Sequence, residues 1–330
     1  MLRYIIKRLI YMVITLLATV VFLFTLMEFV PGDPALVVLG EGATEENIVA
    51  IHKELKLDDP YIVRLTRYIG NLIQGDMGNS YKTRQPIAPA LFARLPLTMT
   101  IAVWGIIVGT IIGLIAGVVS AVKQYSLFDR ILTFISLFGA SAPSFWLAML
   151  FVLIFTLKLG WLPATGSYTL KHWILPVATI GLQASATITR MTRSSMLEVI
   201  RQDYVRTARA KGQTQFKVVI SHGLRNAFIP ILTVICTRIN GYLGGTVLVE
   251  SVFAIPGLGN YVLDGVKTMD TPVVLSGVVF ICFMCTIVTF LTDMAYAFID
   301  PRIKSTYGFG VKRARKRAGL VAKATEGGNV

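Results

Sequence analysis

At 330 residues, with 54% hydrophobic and only 15% charged residues, the chain is too apolar for an ordinary soluble domain. Its net charge of +14 would suit nucleic acid if spread over a soluble surface, but about two thirds of the 32 Lys and Arg fall where a positive-inside topology puts them in the cytoplasm. Apolar runs long enough for a ~30 Å hydrocarbon core stand at 9–30, 97–122, 131–158, 174–196, 228–250 and 273–299. The expectation is an all-α integral membrane protein with six transmembrane helices and both termini cytoplasmic; nucleic acid is set aside as a partner.

The opening LRYIIKRLIYMVITLLATVVFLFTLMEFV has a basic start and an apolar core, like a secretory signal. A signal core of about 7–15 residues ends at a small-residue cleavage site, whereas this run continues to Pro31 without one. Residues 1–30 are therefore predicted as a cytoplasmic start and a retained first span. Residues 31–96 turn mixed and turn-rich, with seven basic and eight acidic residues up to position 95, and predict a small extracytoplasmic loop domain. Ile62, Leu65, Ile69 and Ile73 mark the apolar face of one helix there, and GDMGNSYKTRQP supplies the turns that end it.

Residues 97–299 form the predicted core of five further spans. Gly105, Gly109, Gly113 and Gly117 recur every four residues, so they share one helix face and predict close helix packing. In the third span, Trp146 and Trp161 are read as lying near the two ends, as in an aromatic belt. Cys282 and Cys285 match a metal or redox spacing, but VVFICFMCTIVTF offers no His or carboxylate, so with Cys236 they are read as small packing residues and no metal is expected.

Glu198 to Pro230 is a polar, basic stretch between two apolar runs. Leu197, Ile200, Tyr204 and Ala208 fall at helical spacing, and so do Phe216, Ile220, Leu224 and Ala227. Between them Gly212 can take the positive φ that ends a helix, with Arg209 and Lys211 in the last turn, where cations suit the helix dipole. The segment 198–226 is thus expected to form two short amphipathic helices around a turn, with an apolar stripe that the loop itself leaves open.

The fifth span carries Thr233, Thr237, Arg238, Asn240, Gly241, Gly244 and Gly245, too polar a set to face lipid. Arg238 lies near its middle and needs water, a partner or substrate; Glu250, twelve residues on, is out of reach at roughly 18 Å along a helix. Thr237, Arg238, Asn240 and Gly241 are the predicted pathway residues. In the basic tail, 300–330, the cluster Lys312, Arg313, Arg315, Lys316 and Arg317 fits anionic lipid or plain solvent.

YVRTARAKG followed by HGLRNAFIP resembles the cytoplasmic coupling loop of ABC-importer permeases, in the spelling of the dipeptide/oligopeptide/nickel branch. With the loop's glycine set on Gly212, Arg206, Thr207 and Ala208 stand where the general family has Glu-Ala-Ala, and His222, Gly223, Leu224 and Arg225 where it has Ile-x-Leu-Pro. LKLDDPYIVRLTRYIGNLIQGDMGNS, SAPSFWLAMLFVLIFTLKLGWLPATG and ESVFAIPGLGNYVLDGVKTMDTPVV resemble the same family. The resemblance implies a type I importer fold and coupling to ATPase subunits through Tyr204, Arg206, Ala208, Arg209, Ala210, Lys211, Gly212, Phe216, His222, Leu224, Arg225 and Asn226. It further implies a second homologous permease, two ATPase subunits holding ATP and Mg2+, an extracytoplasmic binding protein, and residence in a prokaryotic inner membrane.

The chain contains no Gly-x-x-x-x-Gly-Lys-Ser/Thr cradle, no His-Glu-x-x-His and no Gly-x-Ser-x-Gly, and His52, His172 and His222 are scattered over predicted loops. No cofactor and no enzymatic activity are expected of it. The leading expectation is a permease that moves a peptide or similar solute by alternating access. The alternative, a self-sufficient channel or ion-coupled carrier, would need its own coupling-ion site, and no duplicated half is visible.

Overall fold

The computed structural model describes residues 2–40 and 42–299; the basic tail lies outside the described residues. All regular structure in this range is helical. Four helical stretches are long and apolar enough to cross a membrane: Ile5–Glu28 within α1 (Leu2–Glu28), α5 (Ile87–Val122), Gln215–Gly244, and Thr271–Met294 within α14 (Thr271–Ile299).

The fifth candidate differs from the expected straight span at 131–158. It consists of α6 (Leu127–Ser141) and α7 (Ser144–Phe151, continued by wide π-type turns over Val152–Lys158), bent against each other by 110°. Pro143 disfavours helix at Ala142, and the Ala142 carbonyl freed by the break accepts a 2.9 Å hydrogen bond from Gln183 Nε2. Trp146 therefore sits just past the bend, edge-on to Phe138 at 5.8 Å, and not at a span end.

The expected span at 174–196 is a helix, α8 (Leu170–Ile200), but it is absent from the helices apolar enough to cross by composition. The reason is its position: Thr179, Gly181, Ala184, Ser185, Thr189 and Thr192 are buried against protein. Its most extensive neighbour is α5, and it also packs against α6, α7 and α11 (Arg225–Gly245). A Cβ added to Gly105 would fall 2.5 Å from Ile180 Cγ2, one on Gly109 2.5 Å from Ala184 Cβ, one on Gly113 2.7 Å from Ile188 Cβ, and one on Gly117 2.5 Å from Thr192 Cβ. Both series advance by four in the same direction, so the two helices run parallel with their i±4 rows meshed. α5 starts at Ile87, well before the expected position 97; Pro96 lies inside it, with the Pro96 carbonyl accepting from Thr100 Oγ1 at 2.7 Å.

The segment 31–86 is a small helical unit, with α2 (Pro34–Leu39), α3 (Glu45–Leu55) and α4 (Tyr61–Ile73). In α4 the buried side is Leu65 with Tyr68, Ile69 and Leu72 against α1 and α14, while Ile62 and Ile73 of the predicted face are exposed. Asp270, buried before α14, accepts from Ser80 Oγ (2.5 Å), Tyr81 N (3.1 Å) and Lys82 N (3.2 Å), which pins the 79–86 turn to the bundle. His52 of α3 places Nε2 2.9 Å from Asp33 Oδ1 and Nδ1 3.2 Å from Asp58 Oδ1. Those two carboxylates, Asp33 foremost, raise the imidazole pKa. Burial works against the Asp33 carboxylate, but the Ala35 N–H and His52 outweigh it and lower its pKa.

Candidate functional site

The 198–226 segment is built differently from two separate helices. The chain breaks at Arg201–Gln202, so the first helix is α9 (Asp203–Ala210), which buries Val205 and Ala208 against Val218 and leaves Tyr204 exposed. Lys211 follows, and Gly212 takes φ +75°, the left-handed turn that favours glycine. The second element, α10 (Gln215–Lys217), passes through π-type turns over Val218–Leu224 directly into α11, so Gln215–Gly245 is one unbroken helix. Its buried side is Val218, Val219, Gly223 and Ala227; Phe216 is 77% exposed and Ile220 is exposed with it.

His222 Nε2 meets Gln213 Oε1 at 2.9 Å, which ties the helix back across the turn, and Asn226 Nδ2 donates to the His222 carbonyl at 2.8 Å. Arg206, Arg209, Ala210, Lys211 and Arg225 are exposed, Leu224 is half-buried. Tyr204, Phe216 and Ile220 thus form an apolar set open to solvent amid cations.

Higher on the same helix, Thr233, Thr237, Gly241 and Gly244 are exposed, and no atom lies within 4 Å of a Cβ built on either glycine. Arg238, beside this row, donates from Nη2 to Thr187 Oγ1 of α8 at 2.9 Å. No acid pairs with it among the described residues. Asn240 Nδ2 donates to Thr289 Oγ1 of α14 at 3.0 Å, while Asn240 Oδ1 is buried without a partner among the described residues.

Two buried carboxylates at the ends of the spans escaped sequence reasoning because their partners are remote in the chain. Glu250, on α12 (Val247–Val252) and 0% exposed, accepts from Thr98 Oγ1 (2.7 Å), Thr246 Oγ1 (3.0 Å) and the Asn260 N–H (3.0 Å). Asn260 is in the first turn of α13 (Leu258–Lys267), so the carboxylate meets the positive end of that helix. Gly257 and Gly259 close around it, where any Cβ would collide. Asp129 of α6 takes both Arg193 Nε at 2.7 Å and Arg193 Nη2 at 2.9 Å, together with Ser120 Oγ and the Tyr125 N–H. The three histidines lie in helical segments, not loops, and among the described residues no cluster could hold a metal ion.

The chain belongs to the family described as the binding-protein-dependent transport system inner membrane component, whose model matches residues 109–305; the family's separate N-terminal model matches residues 1–102. It is the permease component of such an ABC transporter, a multi-pass inner-membrane subunit that works with a binding protein and with ATPase subunits, where ATP hydrolysis resides. By family membership it carries no cofactor, and it is not a self-sufficient channel.

Among its relatives is the dipeptide transport system permease protein DppB of Alkalihalophilus pseudofirmus, 38% identical over 92% of this chain and 100% of the relative. A putative peptide transport system permease protein of Brucella abortus is 38% identical over 91% of this chain and 98% of its own. The glutathione transport system permease protein GsiC of Escherichia coli K12 is 38% identical over 92% and 99%. A chain of the inward-facing MetNI methionine ABC transporter shares the fold at a TM-score of 0.51 and 19% identity, over 64% of this chain and 96% of that one.

Proposed function

We propose that the chain imports peptides or small peptide-like solutes by alternating access, as one of two homologous permeases bound to two ATPase subunits. Both its termini are placed in the cytoplasm, with six membrane crossings in which the bent α6–α7 pair and the polar α8 each count as one. The 31–86 unit then faces the binding protein. Relatives named for dipeptides, peptides and glutathione support the substrate class, since all these solutes carry free carboxylates.

The observation that carries this reading is the unbroken helix Gln215–Gly245. One end holds the open Phe216 and Ile220 beside α9; further along the same rod stand Arg238 and the open Thr237–Gly241 row. A load applied by an ATPase at 198–226 is passed along one continuous helix to the polar row, with Pro230 and the π-type turns at Val218–Leu224 as its points of bend and no loop between to absorb it. Access switches as the rod tilts.

The test is uptake of a labelled dipeptide into proteoliposomes. Accumulation that needs the second permease, the ATPase subunits, ATP and the binding protein supports the reading; uptake by this chain alone, driven by an ion gradient, refutes it.

A further inference from the structure

At the end of the bundle that carries the 198–226 loop, a cavity of about 660 Å³ opens between α6 and α8. Thr133 and Ser136 line it from α6, and Arg190, Arg193, Glu198 and Arg201 from the last turns of α8 and the break that follows. The permease role leaves it unused. Its chemistry is that of a phosphate cradle. Arg193 is clamped by Asp129 through Nε and one Nη2 hydrogen, so its guanidinium is pre-oriented, and the Nη1 hydrogens stay available in the fork geometry of the side chain. Arg190 and Arg201 have no acid within ion-pair distance among the described residues. Glu198 is the one acid that lines the cavity, and both Asp129 oxygens are already occupied.

The surroundings indicate where the phosphate comes from. Arg130 stands one turn before Thr133 on the same row of α6, at the helix start, and the Lys123 ammonium lies 4.8 Å from the centre of the Phe128 ring at that end. On its other side α6 exposes Ile131, Phe134 and Phe138, an apolar face suited to acyl chains.

We propose that this cavity binds the phosphate of an anionic phospholipid, with Arg190, Arg193 and Arg201 as its cation set; the Thr133 and Ser136 hydroxyls line it but give their hydrogens to Asp129 Oδ1 (3.4 Å) and the Leu132 carbonyl (2.7 Å). The lipid would brace α6 against α8 just before the chain enters α9.

The intact complex, purified in mild detergent, is offered equal amounts of phosphatidylglycerol and phosphatidylcholine and read by native mass spectrometry. Phosphatidylglycerol should be retained in preference, and Arg190→Gln with Arg201→Gln should cut its retention roughly ten- to thirtyfold. The paired lysine variant keeps the charges and should keep the preference, which separates lost binding from lost folding. Equal retention of the two lipids, or unchanged retention in the glutamine variant, overturns the proposal. So does displacement of the lipid by millimolar inorganic phosphate, which would assign the cavity to a free anion, or by a dipeptide, which would assign it to the transported solute.

Discussion

Gly109 is the most demanding point of the α5–α8 contact. A Cβ there lies 2.5 Å from Ala184 Cβ, 2.7 Å from the Gly181 carbonyl and 3.1 Å from the Ser185 nitrogen, two of them backbone atoms that no rotamer change can move. Carbon atoms settle at about 3.5–4.0 Å, so alanine requires the axes to separate by roughly 1 Å, which unseats Gly105 and Gly113 as well. Overpacking of this kind costs about 1–3 kcal/mol, from which the better helix propensity of alanine subtracts up to ~1 kcal/mol. Gly109→Ala should therefore lose about 0–3 kcal/mol, and Gly109→Leu more than the upper limit of that range. Gly241→Ala on α11, where no atom lies within 4 Å, is the matched control for folding of this chain. The assay is the midpoint of thermal unfolding and the yield of the purified complex in one detergent. A graded loss at Gly109 with none at Gly241 is expected; a Gly109→Leu complex with normal yield and midpoint refutes the meshing.

Three further outcomes are expected. Phe216→Ala should leave the fold intact, since the ring is exposed, yet reduce ATPase co-purification and transport, whereas Ala208→Pro breaks α9 at a cost of about 3 kcal/mol; full coupling in both would remove the docking role. Arg238→Gln discards the charge while it can still bond Thr187, so transport should fall at unchanged complex yield; lost assembly would mark a structural ion pair with another subunit, and no change in either would remove both roles. His52, with its pKa raised by Asp33 and Asp58, adds stability that is fully present below its unfolded value near 6.5 and fades as pH rises through the higher folded value. Asp33, with its pKa lowered, adds stability above its unfolded value that is lost as pH falls through the folded one. Protection factors of the 33–58 amides, which remove the intrinsic acceleration of exchange with pH, should thus be highest at mildly acidic pH and fall as pH rises through the raised His52 value; His52→Gln should flatten that alkaline limb, and an unchanged profile would refute the assignment.

Features that depend on local periodicity were legible from the residues alone. The four glycines of α5, the turn at Gly212 and the polar character of α11 are patterns within one helix or turn. Their partners were not legible, because Ile180 and Ala184 satisfy the glycines from a helix about 75 residues away. The bend at Ala142–Pro143 was masked by apolar residues on both sides, and only Gln183 of α8 makes it tolerable. In the 198–226 segment the open apolar stripe is legible at Tyr204, Phe216 and Ile220, whereas the face that packs inward at Val205, Val218, Val219 and Gly223 is not, because the break at Arg201–Gln202 resets the helical phase and the π-type turns at Val218–Leu224 shift it again. From the residues alone Glu250 is placed only as out of reach of Arg238, because its hydroxyl partner Thr98 is 152 residues away.

The bend between α6 and α7 also bears on how the chain enters the membrane. Each arm, 127–141 and 144–158, has a reach of about 22 Å as helix, short of the ~30 Å core. The helix that follows is too polar to partition well by itself. Neither piece is a good client for insertion one helix at a time. The Ala142 carbonyl lacks its hydrogen bond until Gln183 arrives, and the threonines of α8 lack shelter until the α5 glycines receive them. Residues 127–200 are thus expected to settle as a group against an α5 already in place. A ribosome-bound chain stopped at 169 should still be extractable from the membrane over this segment, and one stopped beyond 200 should not.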